Sequence, residues 1–206
     1  MNLTLVTPPT CEPVTLADLE GQTRLQGLLS AESGTVELMI SAVREAAEGV
    51  TNRALITQVW ELTLDGFPSG RNAIRLPMPP LQSVQFIKYI DVNGVEQTLD
   101  ELAYRVIVES SPNCNNGYII PIYGLTWPDT QDDVAVVTIR FTCGYGPIAP
   151  DTSTNVPKAI CQWILINVAN TFENRETVGI AYRETKFDIT DAIADGLIAK
   201  YRIPRL

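Results

Sequence analysis

Residues 33–66 read SGTVELMISAVREAAEGVTNRALITQVWELTLDG, and the spacing of their apolar side chains changes midway. Val36, Met39, Ile40, Val43, Ala46, Ala47 and Val50 recur every three or four positions. That spacing predicts a helix, opened by Ser30 or Ser33, with one apolar stripe and an end near Asn52. Glu37, Arg44, Glu45 and Glu48 fall largely off the stripe. From Ile56 to Leu64 the pattern alternates with period two and closes at Asp65-Gly66, as a strand does. A helical period giving way to a strand period within one short stretch makes this an α+β chain.

On the N-terminal side the whole first stretch reads helical. Thr15 is a candidate N-cap, with Asp18 three residues on in a variant capping box, for a short helix to about Gln26. On the other side, Val84–Asp91, Ala103–Glu109, Tyr118–Tyr123 and Val134–Thr142 read as further strands. Asn93-Gly94 is a strong hairpin signal, and Pro77-Met78-Pro79-Pro80 punctuates the run. In the last strand Ala135, Val137, Ile139 and Phe141 face one way and Thr138, Arg140 and Thr142 the other. After Gly144-Tyr145-Gly146 the helical period returns. Pro157 suits a first turn, and Ile160, Trp163, Ile164 and Val168 form a buried face with Phe172 near its end. A final helix from Thr190 to about Tyr201 carries Ile193, Ala194, Leu197, Ile198 and Tyr201 in one stripe. Asp191 and Asp195 complement its positive end, and Lys200 and Arg202 its negative end. The expected architecture is a small helical bundle built from residues 1–55 and 147–206, with an all-β module, residues 56–146, inserted between them.

The 206 residues are 45% hydrophobic, enough for one large domain or two small ones. No apolar run approaches the length of a membrane span, and the N-terminus lacks the basic and apolar regions of a signal peptide, so the expected location is the cytosol or a particle assembled there. The four cysteines, Cys11, Cys114, Cys143 and Cys161, are scattered and read as free thiols. The chain contains no histidine, which removes Ser-His-Asp and Cys-His nucleophile pairs, HExxH zinc sites and imidazole bases together. Net charge is −9, distributed as −4 over residues 1–55, −5 over 56–150 and zero over 151–206. So acidic a chain has no broad basic face with which to hold nucleic-acid phosphates.

The remaining chemical candidates are weak. Gly144-Tyr145-Gly146 lacks the third glycine and the lysine of a phosphate loop, and reads as a turn leaving a strand. Asp129, Asp132 and Asp133 lack the central glycine and terminal glutamate of a calcium loop, and read as a solvated hairpin tip. Asp188, Asp191 and Asp195 could form a carboxylate row for general acid/base work, but Asp191 and Asp195 are i, i+4 neighbours on an exposed helix face and dipole complementation explains them without chemistry. Trp60 and Trp163 read as core, and Trp127, beside Pro128 in a turn, as a side chain at a protein interface. No residue set qualifies as catalytic, metal-binding or cofactor-binding. The terminal segment Lys200, Tyr201, Arg202, Ile203, Pro204, Arg205 and Leu206 follows a helix with no core left to join. It reads either as a frayed end or as a peg that orders on a partner, its arginines pairing with carboxylates there.

The order of short motifs resembles a known family. Leu5-Val6-Thr7-Pro8-Pro9 and Glu12-Pro13-Val14-Thr15-Leu16 are followed by 52–58 (NRALITQ), Trp60-Glu61-Leu62 and Asp65-Gly66-Phe67-Pro68. Then come Ile74-Arg75-Leu76-Pro77, 80–84 (PLQSV), Tyr104-Arg105-Val106, 140–146 (RFTCGYG), 156–160 (VPKAI), 172–176 (FENRE) and the closing Tyr201-Arg202. Together and in this order they are similar to the head–tail connector proteins (adaptors, or head-completion proteins) of tailed phages and related gene transfer particles. The resemblance implies a structural virion protein of the neck rather than an enzyme, without cofactor. It implies a ring, usually dodecameric, that is assembled in the host cytoplasm and docks under the portal protein. The ring would present a platform to a stopper or tail terminator and let DNA pass through its lumen without specific binding. It also implies that Lys200 to Leu206 reaches the portal. Residues 177–188 do not align with the family pattern. An acidic lumen would repel phosphate and let the genome slide. Other readings are a stopper or tail terminator, which would be dominated by β structure; a carboxylate- and metal-dependent hydrolase or nuclease; and a ligand-binding β module on a helical stalk.

Overall fold

The computed structural model describes residues 1–22, 32–109, 116–146, 155–173 and 195–203. Antiparallel sheets and helices are both present, as an α+β chain requires. The longer helix spans Ser33–Thr51 (α2) and ends on Asn52 in the left-handed conformation, φ 54°, with the cap N–H donating to Glu48 O. Asn tolerates this conformation better than most residues, so the chain reverses where the sequence places the helix end. Glu32 rather than a serine occupies the N-cap position and makes no side-chain capping bond. The short helix Leu16–Gln22 (α1) does carry the capping box. The Thr15 N–H donates to Asp18 Oδ2 at 2.8 Å, and the Asp18 N–H returns to Thr15 Oγ1 at 3.2 Å.

Val36 and Ile40 of α2 pack against Ile160, Trp163, Ile164, Val168 and Phe172 of the helix Lys158–Glu173 (α3), with Leu19 of α1 closing the cluster. Each such side chain taken from water contributes roughly 1.5–3 kcal/mol, so this shared core, drawn from both ends of the chain, holds the helices together. The buried strip of α2 is rotated from its apolar stripe. Arg44 and Glu48 are buried, whereas Ala46 and Val50 are exposed. The two charges satisfy one another, a pairing that hydrophobic periodicity does not register.

Among the described residues eight strands form two antiparallel sheets. The larger has the order β1-β2-β8-β4-β5: Asn2–Thr7, Gln58–Leu64, Val137–Cys143, Leu81–Ile90 and Glu96–Thr98. The smaller has the order β3-β7-β6: Ile74–Leu76, Gly117–Pro121 and Tyr104–Val108. Residues 2–7, grouped with the helices by the sequence pattern, instead pair with β2 as an edge strand. Nearly all of β1 is exposed, so its side chains show no alternation to read. β3 and β5, three residues each, are too short to generate a period. The β4–β5 hairpin turns at Asn93-Gly94, with Gly94 at φ 79°.

β8 is central. Val137, Ile139, Phe141 and Cys143 alternate inward, and Arg140 on the outer face pairs with Glu61 across the ladder at 2.7 Å. Ala135 does not extend the inward row, being exposed, outside the strand and at φ 59°. The second core lies between the sheets and includes Leu62, Ile74, Ile87, Tyr104, Ile119 and Phe141. Trp127 belongs to this core rather than to an exposed interface. It is 7% exposed, stacks on Phe67 with centroids 4.8 Å apart, and donates Nε1–H to Asn72 O at 2.9 Å. A loop position hides this packing from the sequence, because the residues it meets are distant in the chain.

Candidate functional site

The crossing between the two cores lies at residues 51–58, where the chain leaves α2 and enters β2. Leu55 and Ile56 join the helical core, while Ala54 joins the β core. Glu48, one turn back on α2, fixes the crossing. Its Oε1 accepts from the Leu55 N–H at 2.9 Å and from Gln58 Nε2 at 2.5 Å, and its Oε2 accepts from Arg44 NH1 at 2.9 Å. Gln58 Oε1 in turn accepts from Trp60 Nε1–H at 3.0 Å, and Arg44 Nε reaches Glu12 Oε2 at 2.8 Å. The network ties α2 to the N-terminal segment and to β2. It borders an open cleft of about 620 Å³, also lined by Pro8, Asn52 and Met78.

Burial pushes the Glu48 carboxyl above its ordinary value, and the Leu55 N–H, Arg44 and Gln58 pull it back only in part. A carboxyl whose pKa is higher in the folded chain than in the unfolded one makes the native state the better proton binder. Stability from this group is therefore present at low pH and lost as pH rises from 4.5 through the raised value. In Glu48→Gln that contribution should vanish. Urea midpoints of the parent and the variant, followed from neutral pH down toward 4.5, should diverge, the parent alone gaining this increment; parallel profiles would refute it.

The same crossing anchors the C-terminal segment. Ile203 donates its N–H to Thr51 O at 3.0 Å, and Asn52 Nδ2 donates to Ile203 O at 2.6 Å. Arg53, wholly buried, donates Nε–H to Tyr201 O at 2.8 Å and NH1 to Tyr145 Oη at 3.2 Å. The Tyr145 hydroxyl is raised from its ordinary pKa by burial, so it stays neutral. Tyr145 belongs to the Gly144-Tyr145-Gly146 turn leaving β8. Three separate stretches, 52–58, 140–146 and 201–203, thus converge on one guanidinium.

This placement corrects the expectation that Lys200 to Leu206 finds no core. Ile198, Tyr201 and Ile203 are 0%, 8% and 6% exposed, because the helical turns at 195–199 lay Ile198 in the helical core and Arg53 holds the following backbone. Lys200 and Arg202 stay exposed. The Lys200 ammonium lies 4.9 Å from the Tyr201 ring centroid, and Arg202 sits 3.8 Å from Asp195. Pro204, Arg205 and Leu206 lie outside the described residues, as do Cys114, Asp188, Asp191 and 177–188. Sequence reasoning passed over Arg53 and Glu48. The available signal was an arginine directly after a helix-ending asparagine, and a glutamate four residues from Arg44.

Gly144-Tyr145-Gly146 is a structural turn. Gly144, at φ 117°, donates its N–H to Pro80 O and leaves no room for a Cβ, which would lie 2.2 Å from Ile56 O. Asp129, Asp132 and Asp133 are exposed. Among the described residues no group of three or more His, Cys, Asp or Glu side chains is placed to hold a metal ion, and no helix is long and apolar enough to cross a membrane. Cys11, Cys143 and Cys161 are free thiols, and burial raises the pKa of both Cys143 and Cys161. The arrangement is one of anchoring and support, with its carboxylates and guanidiniums engaged in holding backbone.

No family model and no curated protein matches the sequence. Solved structures do match along the whole chain. A chain in the virion of a native gene transfer agent (GTA) particle superposes with a TM-score of 0.74 at 23% identity. A chain in the neck of an empty GTA particle computed with C6 symmetry gives 0.72 at 22%, and one in the neck of a native GTA particle computed with C12 symmetry gives 0.71 at 22%. Each alignment covers 100% of this chain and 97% of the other. At this identity the likeness is one of fold.

Proposed function

We propose that this protein is a structural component of a phage-type neck. In this reading it forms a ring, dodecameric in keeping with the C12 symmetry with which one matched neck was computed, that docks under the portal protein and joins a DNA-filled head to a tail. The observation that carries the proposal is the end-to-end superposition on chains of GTA neck and virion structures. A connector role needs rigid placement of interfaces rather than reactive groups, and it makes the protein non-enzymatic and free of cofactor. The anchored C-terminal segment supports the portal contact. Holding Tyr201 and Ile203 in the core fixes the position of Lys200 and Arg202. The helical layer built from both ends of the chain, beside the sheets, favours a connector over a stopper or tail terminator. A stopper or terminator is then the partner on the far face, and the net charge of −9 suits a lumen through which DNA slides unbound.

Negative-stain images of the protein mixed with its own portal test the reading. A ring with a central hole added beneath the portal is the expected result, and persistent monomers without portal binding would overturn it. Lys200→Glu combined with Arg202→Glu leaves the buried anchor untouched. It should weaken portal docking while the melting temperature stays within a degree or so, since exposed charges contribute little to stability.

A further inference from the structure

Residues 56–150 hold five basic side chains, and these divide by sheet. On the larger sheet Arg140 pairs with Glu61 and Lys88 with Glu96, at 2.7 and 2.8 Å. Arg71, Arg75 and Arg105 lie on or beside the smaller sheet, and none forms an ion pair within the described residues. The ladder places Arg75 opposite Tyr118, Tyr118 opposite Ile107, and Ile120 opposite Arg105. Directly paired residues share a face, as do positions two apart on a strand. Arg75, Tyr118, Ile107, Ile120 and Arg105 therefore lie on one face. On the opposite face Ile74, Leu76 and Ile119 are buried in the β core, while Val106 on the edge strand is 37% exposed, so the arginine face looks outward. Ile107 on it is 41% exposed; at the end of β7, Arg71 donates to Pro121 O at 3.0 Å and lies 5.5 Å from the centroid of a Tyr123 ring that is 90% exposed. Arginine and tyrosine around an apolar centre is the composition of a protein interface rather than of a solvated sheet.

A complementary patch lies elsewhere on the same chain. At the loop end of the larger sheet the residues after Pro128 are tied to the β4–β5 hairpin, by the bridge between Asp91 and Thr130 and by the Gln131 N–H on Ile90 O. This tip exposes Val92, Val95 and Val134 at 64%, 52% and 74%, among the exposed carboxylates of Asp129, Asp132 and Asp133. One patch is apolar with a positive rim and the other apolar with a negative rim.

We infer that the outer face of the smaller sheet receives the acidic, valine-bearing tip of a second copy of this chain. The contact is head-to-tail, because two arginine faces brought together would repel while face against tip attracts. Repeated around a closed rotation, such a contact builds a ring without any self-complementary patch. The inference rests on the ring reading above and adds which surfaces make it.

Charge reversal on full-length protein, alone and on its portal, tests it. Arg75→Glu with Arg105→Glu spoils the face, and Asp132→Arg with Asp133→Arg spoils the tip; all four positions are on the surface or half-buried. Each double variant should weaken self-association in sedimentation velocity by about tenfold or more, and raised salt should weaken the parent likewise. Mixed together, the two variants should regain association. Each retains one intact patch, and the two reversed patches are again opposite in charge. Rings that form normally from both variants would overturn the inference and leave the neck reading standing. A parent that makes no ring either free or on its portal would overturn the neck reading itself.

Discussion

Arg53→Ala should lower the unfolding free energy by about 3–5 kcal/mol, through a cavity at a fully buried site and the loss of donors to Tyr201 O and Tyr145 Oη. For a chain of this length that is a fall in melting temperature on the order of 10 °C. The informative partner is Arg53→Met, which keeps much of the volume and removes the donors, at a cost of about 1–3 kcal/mol. Its effect should be local. The Ile203 amide, bonded to Thr51 O, should lose more protection from hydrogen exchange than the core amides of β8. A uniform loss across the chain would mean that Arg53 merely fills space. A selective loss identifies it as the residue that positions the C-terminal segment, and portal docking should fall with it.

Gly144→Ala should be at least as severe, about 4 kcal/mol or more, and is expected to leave little soluble folded protein. The added methyl would sit 2.2 Å from Ile56 O, 2.5 Å from Ile56 C and 2.8 Å from Thr57 N, and these are backbone atoms that cannot rotate aside. At φ 117° an L side chain is strained in any case. Relief would require β8 to part from the crossing, breaking the Tyr145 N–H bond to Leu55 O and the Gln82 bond to Gly144 O. Gly49→Ala is the control. That glycine is helical, and a Cβ there meets nothing within 4 Å, so the substitution should stabilise by roughly 0.5–1 kcal/mol. Equal melting temperatures for the two variants would remove the steric argument.

Local chemistry was legible wherever neighbours in sequence decide it. The Thr15–Asp18 capping box, the helix end at Asn52, the Asn93-Gly94 turn and the alternating row of β8 each depend on spacing within a few residues. Reading by period failed where the environment is made by distant segments. β1 is a strand because β2 offers it an unpaired edge, not because its side chains alternate. Trp127 is buried because Phe67 and Asn72 arrive from across the module. Arg44 and Glu48 look like surface charges on a helix, yet Glu12 and Gln58 convert them into a buried network.

Sequence by itself determined the α+β class, the change of period after α2, the absence of imidazole chemistry and the acidic charge that argues against a grip on nucleic acid. Tertiary structure alone decided that residues 51–58 are the joint of the molecule and that Tyr201 and Ile203 are held within it. The same holds for the three arginines on or beside the smaller sheet, which it left without carboxylates among the described residues. The division has one physical cause. Propensity, capping and turns are fixed by torsions and hydrogen bonds a few residues apart, and these are written along the chain. The desolvation of a charge, and the partner that compensates it, depend on which segments meet in space. Arg53 and the residues it binds are 92 and 148 positions apart in sequence, and only folding brings them within 3.2 Å.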